Sequence, residues 1–220
     1  FKPMELLVLL SLFIIFVLVG IFEYSKHQAV IGGIPIRIHV NGSRGKSSVT
    51  RLIAAGLRAG GIKTLAKTTG SAPRIIDESG KDHIIHRLRS ASIGEQLKLL
   101  KMFSNEKPEA VVIECMAVQP EYQWVTEQKM VSSTIGVLTN VRPDHLDEMG
   151  YDLESIAYSM SNTIPFKSNF VTGEKNITKP LKIISTQRDT NYYQTEKSQI
   201  SKDYMNRFPF LEHSENVALA

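Results

Sequence analysis

The stretch Asn41-Gly42-Ser43-Arg44-Gly45-Lys46-Ser47-Ser48 decides how the rest of the chain is read. It lies between residues 35–40, which read as a short β-strand, and residues 46–60, which read as a helix ending in Gly60-Gly61. Glycines let backbone N–H groups turn inward around phosphate oxygens, and the amino end of the next helix adds a favourable dipole. In that setting Lys46 can reach the β- and γ-phosphates and Ser47 can bind Mg2+. A full Walker loop has a glycine where this chain has Val40, so the match is to the shorter G-x-x-G-K-S form. A glycine-rich turn that happens to precede a helix would show the same residues. The strand before it and the helix after it favour phosphate binding.

Outward from the loop, strands and helices alternate. Residues 62–66 suit a second strand, 68–81 a turn-rich loop, 95–103 a helix, 110–115 and 133–139 buried strands, and 153–163 another helix. That alternation predicts an α/β fold with a parallel-rich central sheet covered on both faces. Glu114 closes the apolar run at 110–115, which places a carboxylate at the C-terminal edge where such sheets bind ligands. Alone it would read as a strand end facing water; beside the loop it is a candidate Mg2+ ligand. Directly after the next strand comes Thr139-Asn140-Val141-Arg142-Pro143-Asp144-His145-Leu146-Asp147-Glu148-Met149-Gly150. Its two aspartates and histidine form a candidate cation or phosphate site, against the plainer reading of His145 as a helix-capping histidine.

Composition narrows the function classes. The chain has 220 residues and a net charge of +4, mild and scattered, with no aromatic RNA-binding motif; a nucleic-acid partner is excluded. Its one cysteine, Cys115, rules out an internal disulfide and reads as a small buried hydrophobe. Residues 6–22 are apolar except for Ser11 and Gly20, and with Met4 and Glu5 they suit a membrane-crossing helix. No small-residue cleavage site follows, so an uncleaved anchor over residues 4–24 is expected, then a linker at 25–34 and an ATP-binding domain at 35–220. Lys26 and Arg37 after the span, against Lys2 before it, bias the C-terminal side slightly toward the cytoplasm. A domain that uses ATP needs the same side. Met4 reads as the natural start, and the helical pattern at 214–220 reads as cut short.

Several motifs in one order resemble a known family. The combination N-G-x-x-G-K-S, a strand-end glutamate and T-N-x-x-x-D-H-x-D-x-x-G looks like the ATPase domain of Mur-type peptide ligases. VNGSRGKSSVTRL (40–52), AKTTGSAPR (66–74), SIGEQ (92–96), ECMAVQPEYQ (114–123) and NTIPF (162–166) look like one branch of it, the poly-γ-glutamate synthase ligase subunits. The likeness is good over residues 20–170, thin over 175–210, and returns at Glu215-Asn216-Val217-Ala218-Leu219-Ala220. It implies an ATP- and Mg2+-dependent amide ligase acting on glutamate and a poly-γ-glutamate chain, with other membrane subunits as partners.

The resemblance also implies roles. Lys46 would hold the terminal phosphate within a loop of Asn41, Gly42, Ser43, Arg44, Gly45, Ser47 and Ser48. Ser47 and Glu114 would hold one Mg2+, and His145 a second. Asn140 and Asp144 would position their loop, Asn216 would approach the adenine, and Thr69, Gly70, Ser71 and Arg74 would face the substrate. One departure stands out: many such ligases have a carbamylated lysine downstream of the metal-site histidine, but residues 155–163 contain no lysine and the next is Lys167. The family's C-terminal domain is also outside these residues. Two alternatives remain open: another Mur or folylpolyglutamate-type ligase, and a membrane-tethered nucleotide-binding regulator.

Overall fold

A computed structural model of the chain describes residues 3–70, 72–86, 92–196, 200–210 and 212–220. Helix α1 runs Pro3–Gly32, about 45 Å at the helical rise. It is long and apolar enough to cross a membrane, and none of its most apolar window is buried in the protein. The helix continues through most of the 25–34 segment instead of ending at residue 24, and Ile31 and Ile34 are buried beside Leu100, Phe103 and Val131. Arg37 secures this junction. Its guanidinium donates to the carbonyls of Ile31, Ile34, Val131 and Ser132, which satisfies oxygens left open at the helix end.

The elements then follow in the order β1 (Ile36–Asn41), α2 (Lys46–Ala59), β2 (Thr64–Thr68), β3 (Arg74–Ile76), β4 (Asp82–Ile84), α3 (Glu95–Asn105) and β5 (Ala110–Glu114). Next come α4 (Pro120–Val125), extended by a π-helical turn over Thr126–Val131, then β6 (Ile135–Leu138), α5 (Leu146–Met149) and α6 (Leu153–Met160), with a 3-10 turn at Ser161–Thr163. The last are β7 (Asn169–Thr172), α7 (Lys179–Gln187), β8 (Asn191–Gln194), α8 (Lys202–Met205) and α9 (Ser214–Leu219). The strands form one sheet in the order β4-β3-β2-β5-β1-β6-β7-β8. All neighbours are parallel except the β2–β3 and β3–β4 pairs. The turn-rich stretch at 68–81 therefore holds a strand of its own. The hairpin is closed by Asp77, whose carboxylate accepts from the Ser79 and Lys81 amides, with Gly80 at φ 85°.

Helices cover both faces, as the buried central strands require. On one face Val49, Ile53 and Ala54 of α2 pack on Ile38, Val40, Ala66 and Val112. On the other, α3 and the end of α1 cover Leu65, Val111 and Ile113. Beyond β6, α6 and α7 bury Leu138 and Phe170. Order reverses around β1, whose flanking strands β5 and β6 connect to opposite sides, and this opens a crevice at its C-terminal end.

Among the described residues, the His39–Glu127 pair is fully buried in this core. His39 Nδ1 is 2.7 Å from Glu127 Oε2, both side chains are fully buried, and Ser133 donates its amide and hydroxyl to Glu127 Oε1. Burial pulls the imidazole down, but Cys115 and Glu127 outweigh it and carry its pKa up to about 10. The histidine therefore stabilises the fold fully below its unfolded pKa of about 6.5, and that contribution fades as pH rises toward 10. Glu127→Gln is expected to cost about 3–5 kcal/mol at neutral pH by stranding the imidazolium. It should also flatten the loss of stability between pH 7 and 9.5, as read by urea unfolding at the two pH values.

Candidate functional site

The loop between β1 and α2 is shaped by two glycines and bracketed from β6. Gly42 has φ 133° and Gly45 φ 82°, conformations that favour glycine. Gly45 precedes α2 and brings no side chain to cap it, so the first helical amides stay available as donors. Lys46 curls back over the loop, with Nζ 2.5 Å from the Gly42 carbonyl and 3.4 Å from that of Ser43. Asn41 is buried; its amide nitrogen donates to Gln123 and Thr163, and its oxygen accepts from the Gly42 amide at 2.8 Å.

Residues after β6 hold the loop from outside. Thr139 Oγ1 and Asn140 Nδ2 both donate to the Arg44 carbonyl, at 2.7 and 3.0 Å, and Asn140 Oδ1 accepts from the Arg44 amide. Ser43 accepts from the Arg142 amide at 2.8 Å and donates to its carbonyl at 2.9 Å. Asn140 thus holds both the amide and the carbonyl of Arg44. Glu174, buried just beyond β7, accepts from the amides of Val141, Asn176 and Ile177 and lies 3.2 Å from Arg142 Nη1. Burial works to raise its pKa, but these donors outweigh it and hold the carboxyl ionised. A lone glutamate after a strand left no pattern to mark it in the sequence.

Glu114 ends β5 with a side chain only 3% exposed. Its Oε2 accepts from Ser47 Oγ and from the Thr69 amide, each at 2.7 Å. A hydroxyl and a carboxylate held together beneath the start of a helix are hard oxygen donors of the kind Mg2+ prefers. Across the opening, His145 stands in the left-handed region (φ 47°) before α5 without capping it, and Asp144 Oδ1 lies 3.9 Å from both His145 Nε2 and Arg44 Nη2.

These groups border one cavity of about 370 Å3, a size suited to a small ligand. Asn41, Gly42, Ser43, Arg44, Lys46, Glu114, Asp144 and His145 line it together with Thr69 and Gly70. Ser47 reaches it through its bond to Glu114, while Ser48, also in the first turn of α2, does not line it. Asn216, on α9, approaches from the other side of the loop; a Cβ on Gly45 would meet its Oδ1 at 2.6 Å. Arg74 instead pairs with Asp82 in the hairpin, and Ser71 lies outside the described residues. Lys167 lies two residues before β7, at the sheet edge opposite the cavity, so it does not supply a lysine to this site. The apolar wall of Met116, Val118, Met149 and Met160 was not foreseen, because scattered methionines look like ordinary core. Cys115 is buried as expected and also touches the cavity.

Residues 40–211 match the model of the Mur ligase middle domain. Over 208 residues the chain is 37% identical to the capsule biosynthesis protein CapB of Bacillus anthracis, covering 93% of this chain and 44% of that protein. It is 35% identical over 208 residues to the PGA synthase CapB of Bacillus subtilis (strain 168), covering 94% and 53%. The chain thus spans about half the length of these curated relatives. Among solved structures, E. coli FolC in complex with ADP superposes with a TM-score of 0.60 at 15% identity, over 78% of this chain and 45% of that one. The Yersinia pestis bifunctional folylpolyglutamate synthase/dihydrofolate synthase, complexed with AMPPNP and Mn, gives 0.56 at 18%, over 78% and 45%. At such identities the likeness speaks to the fold alone, a fold whose relatives bind ATP analogues and metal ions.

Proposed function

The chain belongs to the Mur ligase family, and on that premise we propose that it is the ATP-binding part of an amide ligase that extends poly-γ-glutamate. The observation that carries this reading is the Ser47–Glu114 pair set beneath the glycine-shaped loop and Lys46. The two relatives, a capsule biosynthesis protein and a PGA synthase, support glutamate as substrate.

In the proposed reaction a γ-carboxylate of the growing chain attacks the γ-phosphorus of ATP and ADP leaves. The amine of a glutamate then attacks the acyl phosphate, forming an amide and releasing phosphate. The loop amides and Lys46 bind and orient the phosphates and offset the charge that builds during transfer. Ser47 and Glu114 would hold one Mg2+ and His145 a second; such ions supply Lewis-acid polarisation of phosphoryl oxygens. Asn140 and Asp144 would fix the loop that presents His145, and Asn216, packed against Gly45, would approach the adenine. Helix α1 supports a single-pass anchor with the ATP site on the cytoplasmic face, beside other membrane subunits of the synthase.

The test uses the full-length protein with its membrane partners, supplied with ATP, Mg2+, glutamate and hydroxylamine. Formation of a γ-hydroxamate with ADP is the expected result. ADP release that ignores glutamate and yields no hydroxamate would point to a nucleotide switch instead. Glu114→Gln should raise the Mg2+ needed for half-maximal rate by about tenfold or more, since a hard cation loses its charged oxygen ligand.

A further inference from the structure

Helices α1 and α3 leave a groove of about 540 Å3 between them, sharing no residue with the nucleotide cavity. Val19, Phe22 and Lys26 of α1 line one side, and Leu97, Lys98 and Lys101 of α3 the other. The spacing of each set is helical, so each is one face of its helix. The inner face of α3 is fully used, with Gln96, Leu99, Leu100 and Phe103 turned into the core. Leu97, Lys98 and Lys101 lie on its outward side, and all three are exposed.

The level of the groove along α1 gives it meaning. The apolar run ends at Phe22, Glu23 is the next residue, and Lys26 stands about 6 Å beyond Phe22 along the axis. If α1 crosses a bilayer, Val19 and Phe22 lie at the acyl-chain boundary and the three lysines at headgroup depth. Among the described residues, no carboxylate lies within ion-pair distance of Lys26, Lys98 or Lys101. Glu23 is the acidic side chain in the lining, so three ammonium groups face one carboxylate. An apolar floor under a surplus of positive charge matches one kind of molecule: a lipid with a chain and an anionic head.

We propose that the α1–α3 groove binds an anionic phospholipid, its phosphodiester held by Lys26, Lys98 and Lys101 and its chain against Val19, Phe22 and Leu97. This rests on the anchor reading of α1 and adds to it a specific lipid contact made by the ATP-binding domain. The site would couple α3, and through it β5 and Glu114, to the membrane surface.

The full-length protein is reconstituted in nanodiscs with photoactivatable phosphatidylglycerol or phosphatidylcholine, and compared with K98Q/K101Q. Both lysines are exposed, and unchanged thermal unfolding will show that the variant folds. The proposal predicts labelling of α1 and α3 by phosphatidylglycerol over phosphatidylcholine, and roughly a thirtyfold loss of affinity for it in the variant. Equal labelling of the two proteins would overturn the headgroup site. So would unchanged lipid labelling with loss of co-purifying membrane subunits, which would assign the groove to a protein partner. Alkaline carbonate extraction of native membranes reads the anchor separately. Release of the chain into the supernatant would overturn the anchor, and the lipid site with it; retention in the pellet leaves the labelling to decide the site alone.

Discussion

Lys46→Ala is expected to lower ATP turnover by about a thousandfold or more, while the fold stays intact. The side chain is half-buried, and its hydrogen bonds go to the loop carbonyls of Gly42 and Ser43, so its removal strands no buried donor. Its contribution belongs to the reaction. In the proposed reaction charge accumulates on phosphoryl oxygens beside a loop whose other cation, Arg44, is 74% exposed and lies toward Asp144. A lost electrostatic partner in such a site costs about 10^2–10^3 in rate. Removing a full positive charge belongs at or beyond the upper end, about 4 kcal/mol of barrier. Lys46→Arg should not rescue, because the flat guanidinium cannot take the place of a point charge folded across the loop. ATP turnover by the full assembly, with unfolding followed in parallel, checks both halves. An unaffected rate would remove the phosphate-binding role and the ligase reading built on it.

The central part of this molecule was legible because several signals agreed there. The apolar runs of β5 and β6 are largely buried, β1 is buried from Ile38 onward with His39 and Asn41 partnered inside, and α2 begins at Lys46 as the loop pattern required. The flanks were harder for a physical reason. Strands β3 and β4 have three residues each, too short to show alternation, and they exist because β2 offers an open edge to pair with. Strand β8, Asn-Tyr-Tyr-Gln, is largely exposed at the other edge and has little apolar pattern to read. The site divided similarly. Residues with local motifs, such as Lys46, Ser47 and Asn140, could be picked out individually. Glu174 and the Thr139 bracket act through contacts between segments about 33 and 95 residues apart, which no local pattern encodes. Lys167, the next lysine after the segment that lacks one, lies before β7 and so at the end of the sheet away from the cavity.

The second large effect is expected at Gly42, through shape instead of charge. A Cβ on Gly42 would lie 2.0 Å from Thr139 Oγ1 and 3.0 Å from the Thr139 amide, at a φ of 133° that L-residues rarely adopt. Gly42→Ala therefore combines backbone strain with a steric clash. Thr139 cannot yield freely, because its hydroxyl holds the Arg44 carbonyl at 2.7 Å and so fixes the far side of the phosphate loop. A loss of about 2–4 kcal/mol in stability is expected, with nucleotide affinity falling out of measurable range. Gly56, in the middle of α2 with nothing within 4 Å of a built Cβ, is the internal control. There the same substitution should stabilise the chain by about 0.5–1 kcal/mol through helix propensity. Adding Thr139→Ala to Gly42→Ala relieves the clash at the hydroxyl but leaves φ unchanged, so part of the stability should return without the binding. Denaturant unfolding of the parent and the three variants, with ADP titration by calorimetry, separates the terms. If Gly42→Ala binds ADP as well as the parent, the loop does not need glycine to close around phosphate, and the cradle is wrongly placed.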